Sequence, residues 1–163
     1  MRVLSPAHIN DIALPSSASK TRRPLQEAIT RPVVLLFHPG VGMGLLFREL
    51  RGCTSQMCTV NDHLRELHDF GATIYGVSTL PVEPNSRFST EHDLSFELLS
   101  DTTGALDDVF SIGKKRYGDK DFYERAAVVV CATHGDIVFS VLPDSDPSME
   151  SIIKGIRQVS AVQ

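Results

Sequence analysis

Apolar residues follow two different periods along this chain, which predicts strands interleaved with helices. Residues 32–37 (PVVLLF) form a continuous apolar run, typical of a strand buried on both faces, and Pro39-Gly40 ends it. Residues 40–52 then form an irregular connection. From Cys53 onward the apolar residues recur at spacings of three and four, which predicts an amphipathic helix ending at Gly71. The residues that set this period are Met57, Val60, Leu64 and Leu67.

The second half of the chain continues the alternation of strands and helices and then ends in a predicted hairpin and a final helix. Thr133-His134-Gly135 separates two apolar runs and is typical of a hairpin turn. Asp146 is a suitable N-cap with Pro147 in the first helical position, so a final helix should run to about Val159. These elements together predict an α/β fold with a central mixed sheet flanked by helices. The strands predicted here are 72–77, 96–99, 126–132 and 136–142, and the short helices are 85–92 and 104–110.

The composition indicates one ordinary globular domain spanning residues 1–163. The chain is 42% hydrophobic and 22% charged, and at 163 residues it can bury a core of its own. A net charge of −4 argues against a nucleic-acid partner. No apolar run approaches the ~20 residues of a membrane span, and the first residues lack the apolar stretch of a secretory signal. With three cysteines, an odd number, we expect functional thiols in a reducing cytoplasm rather than a disulfide framework.

The segment Gly52-Cys53-Thr54-Ser55-Gln56-Met57-Cys58 carries the most specific chemistry. Cys53 opens the predicted helix, where the helix dipole and unpaired backbone N–H groups favour the reactive thiolate. Cys53 also precedes Met57 by four residues, which places it at the top of the buried stripe. Residues five apart on a helix are separated by about 7.5 Å along the axis, whereas a disulfide needs Cα atoms within roughly 7 Å. A bond between Cys53 and Cys58 therefore requires the first turn to unwind.

Other interpretations of the cysteines and histidines remain open at this point. Buried free cysteines are common, so Cys53 and Cys58 could be inert, and Cys131, in the middle of a strand, is interpreted as core filling. A metal site formed by Cys53, Cys58 and His63 is disfavoured, because residues five apart project in different directions. The six histidines, including His38, show no triad or ligand spacing and are interpreted as structural or surface residues.

Two further features have ordinary alternatives. The glycines at 40, 42 and 44 resemble a dinucleotide-binding loop, but the third glycine of that motif is not at its spacing. Arg125 precedes the strand 126–132, where its guanidinium could favour a thiolate and hold a peroxide oxygen. From its position alone, Arg125 is better described as a strand-edge residue or an ion partner of Asp121 or Glu124.

The order of these features resembles the peroxiredoxin family of AhpC/TSA redoxins. The residues that carry the resemblance are PVVLLFHPG, RGCTSQMC at a helix start, ATIYGVST, LSFELLSD, Arg125 before a strand, and THGDI in the hairpin. They cover roughly residues 10–160 and are most similar to the bacterioferritin-comigratory, or Q-type, branch.

This resemblance implies a thioredoxin-like fold and reduction of hydrogen peroxide or organic hydroperoxides without a cofactor or metal. It makes Cys53 the peroxidatic thiol, Cys58 the resolving thiol and Arg125 the activating arginine, with Pro39 and Thr54 at the substrate pocket. The expected cycle passes through a Cys53 sulfenic acid and a Cys53–Cys58 disulfide, which thioredoxin or a similar dithiol reduces. We expect a monomer or a weak dimer, with no membrane or nucleic-acid partner.

The chain departs from the family pattern before the first cysteine. Leu50 stands three residues before Cys53, where the family usually has Thr or Ser, and Arg51 replaces a common proline. The connection from Pro39 to Cys53 is also longer than usual. These differences leave an alternative function, that of a thiol redox sensor or binding protein with weak peroxidase activity.

Overall fold

The computed structural model describes residues 2–9, 11–40, 53–142 and 148–160, and within these residues the chain forms a mixed sheet covered by helices. The strands are β1 (Arg2–Val3), β2 (Leu14–Pro15), β3 (Thr21–Arg22), β4 (Val33–Phe37), β5 (Thr73–Ser78), β6 (Glu97–Ser100), β7 (Lys114–Tyr117), β8 (Lys120–Tyr123), β9 (Ala126–Thr133) and β10 (Asp136–Val141). The helices are α1 (Pro6–Ile9), α2 (Pro24–Glu27), α3 (Cys53–Asp62), α4 (Leu64–Asp69), α5 (Val82–Glu91), α6 (Ala105–Phe110) and α7 (Met149–Ser160).

The main sheet has the strand order β1-β10-β9-β4-β5-β6. Strands β4, β5 and β6 run parallel to one another, whereas β9 is antiparallel to β4 and β10 is antiparallel to β9. The β9–β10 hairpin turns through His134 and Gly135, whose φ angles are 49° and 90°. Two positive φ angles match the right-handed twist of the flanking strands, which is why a residue pair ending in glycine suits this turn. The predicted hairpin and the mixed α/β sheet are therefore confirmed.

The described side chains form two hydrophobic clusters, one on each face of this sheet. One cluster contains Val34 and Leu36 of β4 together with residues of α3, α4, α5 and α7. The other contains Val33, Leu35 and Phe37 of the same strand, packed with residues of α2, α6 and the amino-terminal segment. All five residues of β4 are fully buried, because alternate side chains enter opposite clusters.

The prediction of one continuous helix after Cys53 is wrong. The pattern predicts a single helix from Cys53 to Gly71, but the structure has two helices, α3 and α4, separated at His63. His63 has φ −108° and ψ 13°, outside helical geometry, and its ring lies 3.2 Å from Glu66 Oε1. The apolar stripe continues across this break through Val60 and Leu64, both buried, so the spacing of three and four holds on both sides of the interruption.

Other sequence predictions differ by smaller amounts. The final helix is observed as α7, but Asp146 and Pro147 lie outside the described residues. The β7–β8 hairpin and the short amino-terminal elements did not follow from the pattern. No helix in the described residues is long and apolar enough to cross a membrane.

Candidate active site

The carboxyl end of β4 and the start of β9 lie side by side and bring two polar residues together. The antiparallel register pairs Phe37 with Ala126, so the next residues, His38 and Arg125, face each other just beyond the paired strands. The backbone N–H of His38 donates to the Val77 carbonyl at 3.0 Å, which continues the β4–β5 pairing by one residue. Pro39 follows and is buried. This end of the sheet therefore holds a histidine, an arginine and a proline.

His38 occupies a closed position above a glycine of β5. Its side chain has no exposed surface, and neither ring nitrogen has a hydrogen-bond partner among the described residues. A Cβ placed on Gly76 would lie 3.3 Å from His38 Nε2 and 3.4 Å from Met57 Sδ, so the glycine leaves room for both side chains. Burial, with a smaller contribution from the positive charge of Arg125, lowers the pKa of His38 to about 4. The imidazole is thus neutral at physiological pH.

Two residues before Arg125, Tyr123 is held in place by a hydrogen bond and by ring packing. Tyr123, at the end of β8, donates its hydroxyl proton to Asp101 Oδ2 at 2.6 Å, and its ring packs 5.0 Å from that of Phe37. Burial and this hydrogen bond both raise the pKa of Tyr123. Asp101 also accepts from the backbone N–H groups of Ala105 and Leu106 at 2.9 and 3.0 Å, which caps α6. These contacts fix the segment that presents Arg125, a partly buried residue, to the sheet end.

Helix α3 begins at Cys53, as the sequence predicts, and its Met57 and Val60 belong to the hydrophobic cluster that contains Val34 and Leu36 of β4. In a parallel β4–helix–β5 unit the helical segment runs back along the strands, so its amino terminus lies at their carboxyl edge. Met57 is fully buried beside Gly76 and His38, and Cys53 precedes Met57 by about one turn. The start of α3 therefore lies near His38 and Arg125. The side chains of Cys53 and Thr54, together with Leu50 and the rest of residues 41–52, lie outside the described part of the chain.

Cys58 lies in the middle of α3, half-buried, and its thiol contacts a second element. Its Sγ is 3.8 Å from Nδ1 of His92, the residue that caps the carboxyl end of α5. Cys58 and Cys131 are both free thiols. Cys131 is 1% exposed and belongs to the core, as predicted.

The sequence predicted some of these residues and missed others. Pro39, Arg125 and the first residue of α3 come to one edge of the sheet, whereas Cys58 lies further along the helix beside His92. The two histidines were not predicted as part of the site, because their neighbours are distant in sequence. One signal for His38 was present in the sequence, because the residue directly follows the apolar run 32–37 and so stands at the end of a buried strand. Among the described residues, no cluster of three or more histidines, cysteines or carboxylates could hold a metal ion.

The family assignment rests on the sequence itself. The model of the AhpC/TSA family matches residues 7–140, more than three quarters of the chain. The chain belongs to the AhpC/TSA family. It is a peroxiredoxin, and the resemblance seen in its cysteine motif and strand order is confirmed, including the similarity to the bacterioferritin-comigratory branch.

Individual relatives agree with this assignment. A putative peroxiredoxin of Mycobacterium tuberculosis is 27% identical over 122 residues, which cover 75% of each chain. Peroxiredoxin Bcp of Escherichia coli is 37% identical over 71 residues, 44% of this chain and 43% of that protein. The solved structure of the Xanthomonas campestris bacterioferritin comigratory protein superposes with a TM-score of 0.75 at 22% identity, covering 98% of each chain. This last likeness shows that the peroxiredoxin has the thioredoxin-like fold.

Proposed function

We propose that this peroxiredoxin reduces hydrogen peroxide or organic hydroperoxides with Cys53 as the peroxidatic thiol and Cys58 as the resolving thiol. Arg125 activates Cys53 and stabilises the reacting oxygens, while Pro39 and Thr54 line the pocket. Thioredoxin or a similar dithiol restores the two thiols. The family membership supports the peroxidase chemistry, and the positions of Cys53 at the start of α3 and of Arg125 before β9 support their roles.

The observation that carries the proposal is the meeting of two features at one sheet edge. A helix of ten residues begins at Cys53, so its positive end lies at the carboxyl edge of β4. Arg125 is placed at the same edge by the pairing of β9 with β4. Both features favour a thiolate, and a guanidinium also offers paired N–H donors to oxygen atoms. The neutral His38 beside Arg125 adds no positive charge of its own to this edge.

The first chemical step uses the Cys53 thiolate as a nucleophile. Its sulfur attacks one oxygen of the hydroperoxide, so an S–O bond forms and the O–O bond breaks. Water or an alcohol leaves after taking up a proton, and Cys53 becomes a sulfenic acid. The developing negative charge on the leaving oxygen is what the Arg125 donors stabilise.

The second step joins the two cysteines and requires a change of structure. Cys58 attacks the Cys53 sulfur, the S–S bond forms and water leaves. Because both residues lie in the intact helix α3, five positions apart, about 7.5 Å of helical rise separates them. The segment from Cys53 to Cys58 must unwind before the sulfurs meet, and a dithiol reductant then allows the helix to form again.

A set of cysteine variants tests these roles. Activity is measured as NADPH-coupled peroxide reduction with thioredoxin and thioredoxin reductase. We expect C53S to be inactive, and C58S to lose turnover while still forming a sulfenic acid at Cys53 in a single turnover. C131A is the matched control and should keep most of the activity, since Cys131 is buried in β9 away from the sheet end. Activity that persists in C53S would overturn the proposal.

Leu50 supports a second candidate, a redox sensor with weak peroxidase activity. A leucine cannot donate the hydrogen bond that a Thr or Ser hydroxyl provides three residues before the peroxidatic cysteine. The rate constant of Cys53 oxidation separates the two functions. A slow reaction that L50T accelerates would favour the sensor, whereas a fast reaction unchanged by L50T favours the peroxidase.

A further inference from the structure

Cys58 and His92 form a thiol–imidazole contact between two separate helices. The Sγ–Nδ1 distance of 3.8 Å is within the range of a hydrogen bond to sulfur, and the residues are 34 positions apart in sequence. An imidazole is the side chain best suited to accept a proton near neutral pH. A free thiol, by contrast, is only a few per cent thiolate at pH 7. The contact therefore offers Cys58 a proton acceptor that its own helix does not provide.

The fold holds the imidazole in place. The ring of His92 packs on the buried ring of Phe88, with centroids 4.2 Å apart, and its backbone N–H donates to the Phe88 carbonyl at 3.0 Å. Phe88 lies one helical turn earlier on α5, so this packing sets the direction of the ring. The imidazole thus has a defined orientation although it lies at the protein surface.

A side chain of α3 fixes the distance between the two helices. Asn61, three residues after Cys58, donates from Nδ2 to the Asp93 carbonyl at 3.3 Å. Its Oδ1 accepts from the backbone N–H of Ser95 at 2.7 Å. Asp93 and Ser95 follow His92 by one and three residues, so these two hydrogen bonds tie the loop after α5 to the part of α3 that carries Cys58. Hydrogen bonds between residues that are distant in sequence therefore hold Cys58 and His92 close to each other.

The charged residues nearest to the pair along these elements are acidic and exposed. Asp62 follows Cys58 by four residues, and Glu91 and Asp93 flank His92. Arg87 on α5 lies 3.3 Å from Glu83 and thus has its own partner. The residues that flank His92 in sequence therefore carry no positive charge that would oppose an imidazolium during proton transfer.

We propose that His92 is the general base of the resolving step. This inference rests on the proposed function, in which Cys58 attacks a Cys53 sulfenic acid. The Cys58 S–H proton passes to Nδ1 of His92, and the Cys58 sulfur attacks the Cys53 sulfur. The S–S bond forms as the S–O bond breaks, and the leaving hydroxide takes the imidazolium proton to become water. Cys53 is reduced from the sulfenic to the disulfide level while Cys58 is oxidised to it.

Alkylation of Cys58 tests the proton transfer without any peroxide. In a C53S/C131A background, the rate of Cys58 modification by iodoacetamide is followed by mass spectrometry between pH 5.5 and 10. We expect H92Q and H92F to lower the rate at pH 7 by about tenfold and to leave it unchanged near pH 10, where the thiol ionises unaided. H92F keeps a ring on Phe88, so it separates loss of the base from loss of packing. Alkylation profiles that coincide in the parent and both variants would overturn the proposal.

The matched control is H63Q. His63 is also exposed and five residues from Cys58, but its ring contacts Glu66, so Cys58 should react as in the parent. Free imidazole should restore the rate in H92A but leave H63Q unchanged. A rate in H63Q that falls as far as in H92Q would also contradict the assignment, because the effect would then be independent of the contact.

Rapid mixing with peroxide tests whether His92 accelerates formation of the Cys53–Cys58 disulfide. In the chain with all three cysteines, H92Q should form the Cys53 sulfenic acid at the parental rate and form the disulfide at least tenfold more slowly at pH 7. Equal rates of disulfide formation would overturn the role of His92. If the parent itself forms no Cys53–Cys58 disulfide, the proposed function fails. The alkylation profiles would then still decide whether His92 takes the Cys58 proton.

Discussion

The burial of His38 could not be predicted from its position in the sequence. The sequence predicts a structural or surface histidine after an apolar strand, and the residue is completely buried beside Arg125. Its surroundings come from β5, β9 and α3, three segments whose approach depends on the sheet topology. The same reason applies to His92, whose partner Cys58 lies on another helix.

Burial of His38 makes the stability of the protein depend on pH. The pKa of the ring is about 4 in the folded protein, against about 6.5 in an unfolded chain. As the pH falls below 6.5 the unfolded chain takes up a proton that the folded protein does not, so the free energy of unfolding decreases. This contribution should reach about 2 kcal/mol between pH 7 and pH 5.

Replacement of His38 by phenylalanine should remove this pH dependence. Urea unfolding of the parent and of H38F at several pH values gives the difference in free energy of unfolding. The free energy of unfolding of H38F, relative to that of the parent, should increase by about 2 kcal/mol from pH 7 to pH 5. H68Q, which replaces an exposed histidine of α4, should follow the parent. A constant difference between H38F and the parent across this range would contradict a neutral buried imidazole.

At the level of elements, the strongest patterns predicted the structure best. The apolar run of β4 and the hairpin signal at His134-Gly135 both depend on local chemistry, and both are observed. The β7–β8 hairpin was missed because its outer residues are charged and exposed, so no apolar alternation marks it. The break at His63 was missed because no proline or glycine stands there.

Gly76 of β5 lies beneath closely packed side chains from the sheet and from α3. A Cβ at this position would lie 2.6 Å from Leu98 Cδ2, besides its contacts with His38 and Met57. All three neighbours are fully buried, so none can move into solvent. The absence of a side chain on β5 therefore allows α3 and His38 to pack at the carboxyl edge of the sheet.

G76A should lower the free energy of unfolding by about 1–3 kcal/mol because the added methyl group overfills a packed site. Chemical denaturation of G76A, L98V and the double variant measures the effect. Shortening Leu98 removes the closest atom, so the double variant should be more stable than the sum of the two single effects predicts. Strictly additive effects would show that Leu98 is not the group that the methyl meets.

On the scale of the whole molecule, the site joins elements that are far apart in the chain. His38 follows β4, Arg125 precedes β9, Cys53 and Cys58 lie on α3, and His92 ends α5. The sequence singles out Cys53 and Cys58 because the neighbours of a thiol at a helix start favour the thiolate, and the reactivity of both stays a prediction. It could not predict which residues from distant strands and helices complete the site, since that depends on strand order and helix packing.

The second half of α3 is tied to the loop after α5 by hydrogen bonds of Asn61, and it should therefore respond to oxidation differently from the first half. Disulfide formation must unwind the part from Cys53 to Cys58, whereas Asn61 ties the following part to the loop after α5 and Val60 is buried in the core. Hydrogen exchange of the reduced and the peroxide-treated protein should therefore show loss of protection within residues 54–58, at the amides that donate to carbonyls of the unwound turn. Amides of β4, β5 and β9 should keep theirs, because the sheet does not take part in the change. C58S, treated identically, should show no loss at 54–58. Protection lost throughout α3, α4 and α5 would mean that oxidation opens the whole helical layer and that Asn61 does not limit the change.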